Sequence, residues 1–214
     1  MKTQLIRLDP GRVAVPDIRR IAIILERGGL MVFPTDTFYG LGADGFSRQA
    51  IRRIYALKLR DISKPLLVLV SDVDMVQRLA RDIPPVFWKI AEEFWPGPLT
   101  MVLQASAAVP RELGGGGESL AMRLPAVSWL QALVRETGCP VIATSANVSG
   151  EGEISTAEQA LSLFSGKVEL IVDGGPTPSG APSTVLDLTA RPPRIIRHGA
   201  VTKDKLKKYL NQAR

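Results

Sequence analysis

The sequence predicts a mixed α/β domain whose helices cover a β-sheet. Three observations support this class. Strand and helix patterns intermix along all 214 residues. The strand candidates are apolar runs more often than alternating patterns, which is typical of a sheet covered by helices. Polar, turn-forming motifs follow the ends of several of these runs, where α/β proteins gather their ligands.

The first quarter of the chain predicts strand, helix, strand and helix. Residues 5–8 form a short strand candidate. Asp17 is a candidate cap for a helix with an apolar stripe, and the glycine pair at 28–29 ends it. Residues 30–33 are a buried-strand candidate that stops at a proline. Ser47 is a candidate cap for a helix that runs toward Lys58.

The middle of the chain predicts a strand over 66–70 and a helix over 86–94. The sequence Trp-Pro-Gly-Pro at 95–98 ends that helix, because proline cannot continue one. Two further strands are predicted at 99–103 and 120–123.

The last part predicts two helices, four strands and a final basic helix. The helices cover 127–136 and 156–164. The strands are 141–144, 168–172, 184–188 and 194–197. Thr202 is a candidate cap for the last helix, 202–212. The Gly- and Pro-rich segment 173–182 separates two of the strands and is interpreted as an active-site lid.

The length favours one domain over residues 1–214, with a core at about 18–198. No stretch approaches the roughly 18 apolar residues of a membrane span. The N-terminus shows no export signal, and the single cysteine forms no internal disulfide. We therefore expect a cytoplasmic protein without a membrane partner.

Basic residues outnumber acidic residues by 27 to 21, which gives a formal charge of +6. This excess favours polyanionic partners such as nucleotides or RNA. It concentrates in two segments, 48–64 and 191–214. A solvated basic face explains any single one of these residues equally well.

Four separated motifs combine turn formers with hydroxyls, an amide or cations. They are Pro-Thr-Asp-Thr-Phe-Tyr-Gly-Leu-Gly at 34–42, Lys-Leu-Arg at 58–60 with Lys-Pro-Leu at 64–66, Ser-Ala-Asn-Val-Ser-Gly at 145–150, and Pro-Ser-Thr-Val at 182–185. Together these groups can hold a nucleotide and a small amino acid. Each motif alone also has a structural explanation as a turn or a helix cap.

Each motif offers specific candidate ligands. Thr35 follows a buried strand, where Gly40 and Gly42 would allow close backbone approach. The cations of the second motif suit a phosphate clamp, although they also complement a helix C-terminus. Ser145 and Asn147 can read a carboxylate, a ribose or a phosphate.

Arg123 ends a strand, and burying an arginine requires a partner. A substrate carboxylate and a protein carboxylate are both candidates. The rigid turn at 96–100 would place Thr100 in the same region.

Several reaction classes are disfavoured. The chain has no Walker A pattern and no G-x-G-x-x-G after a strand, and the glycine run 114–117 is interpreted as a flexible loop. One histidine, His198, and one cysteine exclude a zinc site of several His or Cys ligands and disfavour a Ser-His-Asp triad. An enzyme with this sequence should act by positioning and charge neutralisation.

Taken together and in order, the motifs resemble the YrdC family, the threonylcarbamoyl-AMP synthases. The likeness also includes Trp-Pro-Gly-Pro-Leu-Thr at 95–100 and Arg-Leu-Pro at 123–125, and it runs from about Ile18 to His198. Asp36 stands where many relatives have Glu. The resemblance implies an open, strongly twisted sheet with a basic concave face, in the short form of the family.

The resemblance also implies a reaction. L-threonine, bicarbonate and ATP give threonylcarbamoyl-adenylate and pyrophosphate, for the threonylcarbamoyl modification of adenosine in tRNA. Mg²⁺ would be held through the phosphates, with no metal ligand from the protein. Further partners would be tRNA or double-stranded RNA on the basic face and proteins that act downstream in tRNA modification.

Site residues carried over from the family fall into two groups. The threonine site would contain Thr35, Arg123, Ser145 and Ser183. The ATP site would contain Lys58, Arg60, Lys64, Thr100, Asn147 and Arg197, with Lys58 and Arg60 positioning the triphosphate.

Two other hypotheses remain open from the sequence. The first is a non-catalytic RNA-binding protein, which the basic segments motivate and which would bind tRNA in a salt-sensitive way. The second is a related enzyme that forms a carbamoyl- or acyl-adenylate with another amino acid. Competition between amino acids would separate it from a threonine enzyme.

Overall fold

The computed structural model describes residues 2–9, 11–147, 152–178 and 180–210. These residues form two β-sheets and seven helices. The helices are α1 (Val15–Glu26), α2 (Arg48–Lys58), α3 (Val73–Leu79), α4 (Pro85–Phe94), α5 (Ser128–Thr137), α6 (Ala157–Phe164) and α7 (Lys203–Leu210).

The first sheet has five strands in the order β1-β10-β2-β3-β9. They are β1 (Gln4–Arg7), β2 (Met31–Pro34), β3 (Tyr39–Gly42), β9 (Thr144–Ser145) and β10 (Leu170–Asp173). The pairs β1·β10 and β10·β2 are parallel, whereas β2·β3 and β3·β9 are antiparallel.

The second sheet has seven strands, six of them in the order β12-β11-β6-β7-β4-β8, with β5 paired to β6. They are β4 (Leu67–Leu69), β5 (Ala80–Arg81), β6 (Leu99–Ala105), β7 (Ser119–Arg123), β8 (Val141–Ile142), β11 (Thr184–Asp187) and β12 (Arg194–Arg197). The pairs β11·β6 and β4·β7 are parallel, and the others are antiparallel.

The two sheets meet where the chain passes from β8 to β9. Ile142 belongs to the second sheet and Thr144 to the first, so only Ala143 separates them. The Ile142 N–H donates to Ala43 O at 2.8 Å, which ties the end of β3 to this crossing. Ser145, the next residue along β9, therefore lies at the junction of both sheets.

Local sequence signals explain several helix boundaries. Ser47 accepts a hydrogen bond from Ala50 N and caps α2, as predicted. Thr156 and Gln159 form a capping box at the start of α6. Helix α1 begins at Val15, before the predicted cap Asp17, because Pro16 occupies the first turn with its backbone already set for a helix.

The hydrophobic core fills the space between sheets and helices. Phe33 of β2 is fully buried and meets Trp129 of α5 edge to face, with ring centroids 6.4 Å apart. The same phenylalanine explains the glycines of β3. A Cβ on Gly42 would lie 2.3 Å from Ile142 O and 2.7 Å from the Phe33 ring. Gly42 is thus required by packing within the sheet.

The structure confirms the mixed α/β class and corrects several details of the prediction. Residues 39–42 form strand β3 of a hairpin with β2, where a turn was predicted. The predicted strand 141–144 is divided between two sheets. The structure thus contains two sheets where the sequence predicted one. Helix α3, capped by Asp72, and strand β5 were not predicted.

The predicted last helix extends to 210, and its remaining residues lie outside the described part. Tyr209 of α7 donates to Glu93 Oε2 at 2.5 Å and so fastens this helix to α4. Within the described ranges, no helix has both the length and the apolar character needed to cross a membrane.

Candidate active site

A cavity of about 480 Å³ lies where the two sheets meet. Its walls come from the β2–β3 turn, from β4, β6, β7, β9, β11 and β12, and from the segment before Pro65. Seven of the ten predicted site residues line it, namely Thr35, Arg60, Thr100, Arg123, Ser145, Ser183 and Arg197. Lys58, Lys64 and Asn147 are not in its lining.

The β2–β3 turn presents a hydrogen-bonded pair of threonines. Thr35 Oγ1 donates to Phe38 O at 2.7 Å and accepts from Thr37 N at 3.1 Å. Because the one Thr35 hydroxyl proton is used, Thr37 Oγ1 is the donor in the 3.0 Å contact between the two hydroxyls. The Thr35 hydroxyl is thereby saturated, so Thr37 is the threonine whose oxygen still accepts from Arg123.

Arg60 lies on a loop whose path is set by the residue before it. Leu59 ends α2 in the left-handed conformation, with φ 49° and ψ 37°, and turns the chain toward the cavity. Arg60 Nη2 donates to Pro65 O at 2.9 Å, and its Nε donates to Lys64 O at 3.3 Å. Lys64 is exposed and contributes its backbone oxygen to this arrangement.

The glycine run 114–117, interpreted from sequence as a flexible loop, supports the Arg60 loop. Gly115 has φ +65°, and a Cβ there would lie 2.3 Å from Ser63 O. Tyr55 donates its hydroxyl proton to Lys64 O or Glu112 O, at 2.9 and 3.0 Å. The run is therefore packed against the segment that carries Arg60.

We expect Gly115→Ala to displace the Arg60 loop and to raise the KM for the nucleotide predicted from the sequence about tenfold, because backbone atoms must move to admit the methyl group. Gly116→Ala is the matched control. Its φ of +82° imposes similar strain, but a Cβ there meets nothing within 4 Å. Steady-state kinetics checks this, and equal effects of both variants would show that strain alone matters.

Lys58 lies behind the cavity wall, at the end of α2, with 1% of its surface exposed. Its ammonium group donates to Ser145 O, to Asn147 O at 2.7 Å and to Asn147 Oδ1 at 3.0 Å. Ser145 Oγ also donates to Asn147 Oδ1, at 2.6 Å. Burial, with Arg60 nearby, lowers the pKa of Lys58 to about 8. Lys58 thus links the second motif to the third.

Arg123 is buried at the base of the cavity and pairs with a protein carboxylate. Its Nη2 contacts Asp36 Oδ1, its Nε donates to Gly97 O at 3.0 Å, and its Nη1 donates to Thr37 Oγ1 at 3.4 Å. Burial lowers the pKa of Arg123, and Asp36 opposes that effect. Of the two partners that the sequence left open, Arg123 here contacts the protein carboxylate.

Ser183 and Thr100 form the opposite wall together with Arg197. The Thr100 and Ser183 hydroxyls lie 2.9 Å apart. Arg197 Nη2 donates to Ser183 O and to Ser183 Oγ, both at 2.8 Å. These contacts hold the Arg197 side chain at the rim of the cavity, where the arginine is exposed to solvent.

Three acidic residues that line the cavity were not predicted as site residues. Asp36 belongs to the first motif, so its spacing from the threonines could have identified it. Asp187 ends β11 and pairs with Arg194 at 3.1 Å. Glu153 follows the third motif, and no sequence signal marks it. Partial burial raises the pKa of Glu153, and Arg197 opposes this.

The four cavity arginines differ in their charge partners. Arg123 and Arg194 form ion pairs with Asp36 and Asp187. Within the described residues, Arg60 and Arg197 have no carboxylate at ion-pair distance and bond to backbone and hydroxyl oxygens. Two fixed cations thus keep charge available for an anion.

The described part of the chain offers neither a metal-binding cluster nor an activated thiol. Its residues contain no cluster of three or more His, Cys, Asp or Glu that could hold a metal ion. Burial raises the pKa of Cys139 to about 12, so this thiol is not a nucleophile at neutral pH.

The chain is similar to proteins of one family. The family model Sua5_yciO_yrdC, described as "Telomere recombination", matches residues 23–199. The curated threonylcarbamoyl-AMP synthase of Pyrococcus abyssi is 39% identical over 197 residues, which are 92% of this chain and 58% of that protein.

Solved structures agree with this assignment. P. abyssi Sua5 complexed with L-threonine matches with a TM-score of 0.91 and 36% identity, covering 99% of this chain and 62% of that one. E. coli YciO matches with a TM-score of 0.87 and 26% identity, covering 97% and 99%. The chain spans about three fifths of the length of the Pyrococcus proteins. On the ordered motifs, the fold and these matches, the chain belongs to the Sua5/YciO/YrdC family.

Proposed function

We propose that this protein makes threonylcarbamoyl-AMP and pyrophosphate from L-threonine, bicarbonate and ATP. The observation that carries the proposal is the charge distribution of the cavity. Arg60 and Arg197 lie in its lining with no carboxylate at ion-pair distance among the described residues, and they suit a triphosphate. Relatives named threonylcarbamoyl-AMP synthase at 37–39% identity support the same reaction.

The chemistry needs positioning more than acid–base groups. The ammonium of threonine first releases a proton to solvent, and the resulting amine attacks bicarbonate, so that an N–C bond forms and water leaves. An oxygen of the resulting carbamate then attacks the α-phosphorus of ATP, and pyrophosphate leaves. Arg60 and Arg197 would neutralise the charge that develops on the phosphates. Mg²⁺ would arrive with the nucleotide and stay bound to its phosphates.

The proposed binding sites divide the cavity between two substrates. Threonine would lie between the β2–β3 turn and β7, near Thr35 and Arg123, with Ser145 and Ser183 beside it. The phosphates would lie along the arginine rim, with Thr100 and Asn147 nearby. P. abyssi Sua5 has been solved with L-threonine, which supports a site of this kind in the shared fold.

Lys58 and Lys64 were predicted to bind ATP but do not line the cavity. All three ammonium protons of Lys58 have protein acceptors, so we infer that it acts mainly by holding Ser145 and Asn147. A direct contact of Lys58 or Lys64 with the triphosphate stays a prediction.

The product would serve the threonylcarbamoyl modification of tRNA, with other proteins acting downstream. The proposal includes a cytoplasmic location, which the sequence predicts. A role limited to RNA binding is less favoured, because carboxylates neutralise part of the basic segments. Arg53 pairs with Glu169 at 2.9 Å, and Lys208 pairs with Glu93 at 2.6 Å.

The test is pyrophosphate release by the purified protein. We expect release that requires ATP, L-threonine and bicarbonate together, with threonylcarbamoyl-AMP as the product by mass spectrometry. Release that is independent of threonine or bicarbonate would refute the proposal. Serine and other amino acids as competitors would show whether threonine is the preferred substrate.

A further inference from the structure

The floor of the cavity contains an ion pair with an unusual hydrogen-bond deficit. The side chains of Arg123 and Asp36 are 5% and 15% exposed, and their charges cancel within the pair. Within the described residues, Arg123 Nη2 and both oxygens of Asp36 lack a hydrogen bond of good geometry. Buried charged atoms normally have such bonds, so this deficit requires an explanation.

A second ion pair in the same cavity provides an internal comparison. Asp187 accepts from Thr189 N at 2.9 Å and from Thr189 Oγ1 at 2.6 Å through one oxygen, and from Arg194 Nε at 3.1 Å through the other. Both oxygens of this carboxylate are thus satisfied within the protein. Within the described residues, the one other buried side-chain atom without a hydrogen bond is Glu112 Oε2, which lies outside the cavity lining, so in the cavity the deficit falls on the Asp36–Arg123 pair.

The Asp36–Arg123 pair is complementary in charge to an amino acid. The aspartate is opposite in sign to an ammonium, and the arginine is opposite in sign to a carboxylate. An α-amino acid at neutral pH carries one ammonium and one carboxylate, on neighbouring atoms. Its carboxylate can accept from the arginine fork, and its ammonium can donate to the aspartate. Each buried residue would then gain the hydrogen bonds it lacks.

We propose that Asp36 and Arg123 exchange partners when the amino-acid substrate binds, Asp36 receiving its ammonium and Arg123 its carboxylate. This inference rests on the proposed function, because it assumes an amino-acid substrate. Parting a buried ion pair is costly unless both halves find new partners. A ligand with one charge satisfies one half and leaves the other unpaired. The pair thereby selects zwitterions over hydroxy acids and esters.

The test uses isothermal titration calorimetry of the full chain with three ligands, without ATP or bicarbonate. They are L-threonine, (2S,3R)-2,3-dihydroxybutyrate, in which a hydroxyl replaces the ammonium, and L-threonine methyl ester, which lacks the carboxylate. We expect the wild type to bind threonine about 100-fold more tightly than either analogue. Equal affinity for threonine and dihydroxybutyrate would overturn the proposal, whatever the variants show.

The variant Asp36→Asn tests whether Asp36 is the residue that binds the ammonium of the ligand. We expect it to weaken threonine binding about 100-fold and to leave dihydroxybutyrate binding at least as tight as in the wild type, since that ligand has no ammonium to lose and no longer leaves an aspartate charge unpaired. Equal weakening of both ligands would mean that Asp36 only orients Arg123, and the proposal would fail. Asp36→Glu, which keeps the charge, should bind threonine within about tenfold of the wild type and serves if Asp36→Asn is unfolded.

The pyrophosphate assay separates this inference from the proposed function. If the wild type turns over threonine but Asp36→Asn keeps the wild-type KM for threonine, the exchange is refuted and the function stands. If the wild type prefers zwitterions but releases no pyrophosphate, the exchange is supported and the reaction is refuted.

Discussion

Replacement of Lys58 by methionine is expected to lower kcat/KM for pyrophosphate release about 1000-fold. Methionine fills a similar volume but donates no hydrogen bond, so Ser145 O, Asn147 O and Asn147 Oδ1 lose their shared donor. These atoms belong to the segment that forms one wall of the cavity. Since small displacements of a site are costly to catalysis, the loss should exceed that of a single surface cation.

Two measurements make this prediction specific to the Lys58 linkage. Lys167→Met removes an exposed lysine that does not line the cavity, and it should leave kcat/KM within about twofold of the wild type. Thermal unfolding would establish that Lys58→Met is folded at the assay temperature. Activity within tenfold of the wild type would show that the linkage is dispensable for the reaction.

Replacement of Arg123 by methionine is expected to reduce the free energy of unfolding by about 3–5 kcal/mol, because it leaves the Asp36 carboxylate buried without its cation. It should also abolish measurable threonine binding. Urea denaturation gives the first quantity and calorimetry the second.

A double variant and a control test the physical reason. Adding Asp36→Asn to Arg123→Met removes the stranded charge, so most of the lost stability should return while threonine binding stays absent. Arg194→Met breaks a pair in which the arginine side chain is 70% exposed, and it should cost less than about 1 kcal/mol. A double variant no more stable than Arg123→Met would contradict the stranded-charge explanation.

Most elements could be predicted from local patterns. Apolar runs located β2 and β6 to within two residues, β12 matches its predicted range, and Ser47 capped α2 as expected. Strand β3 was missed because its two glycines are typical of turns. Its conformation depends on Phe33 and Ile142, which approach from other parts of the chain.

The candidate site was predictable in part. Threonines, arginines and serines at strand ends indicated a polar cavity, and seven of the ten predicted residues line one. The resemblance to a family supplied their grouping, which no single motif carries. Asp187 and Glu153 could not be found in this way, because they belong to no motif and reach the cavity through strand pairing or loop path.

The sequence by itself determined the α/β class, the family and most of the predicted residue types that line the cavity, because these depend on local periodicity, capping and ordered motifs. Only the tertiary structure decided which charges are paired. It placed Asp36 on Arg123, left Arg60 and Arg197 without a carboxylate at ion-pair distance in the described residues, and turned Lys58 inward onto Ser145 and Asn147. The reason is physical: an ion pair depends on distances of a few ångströms between residues far apart in the chain, and spacing along a sequence does not contain those distances.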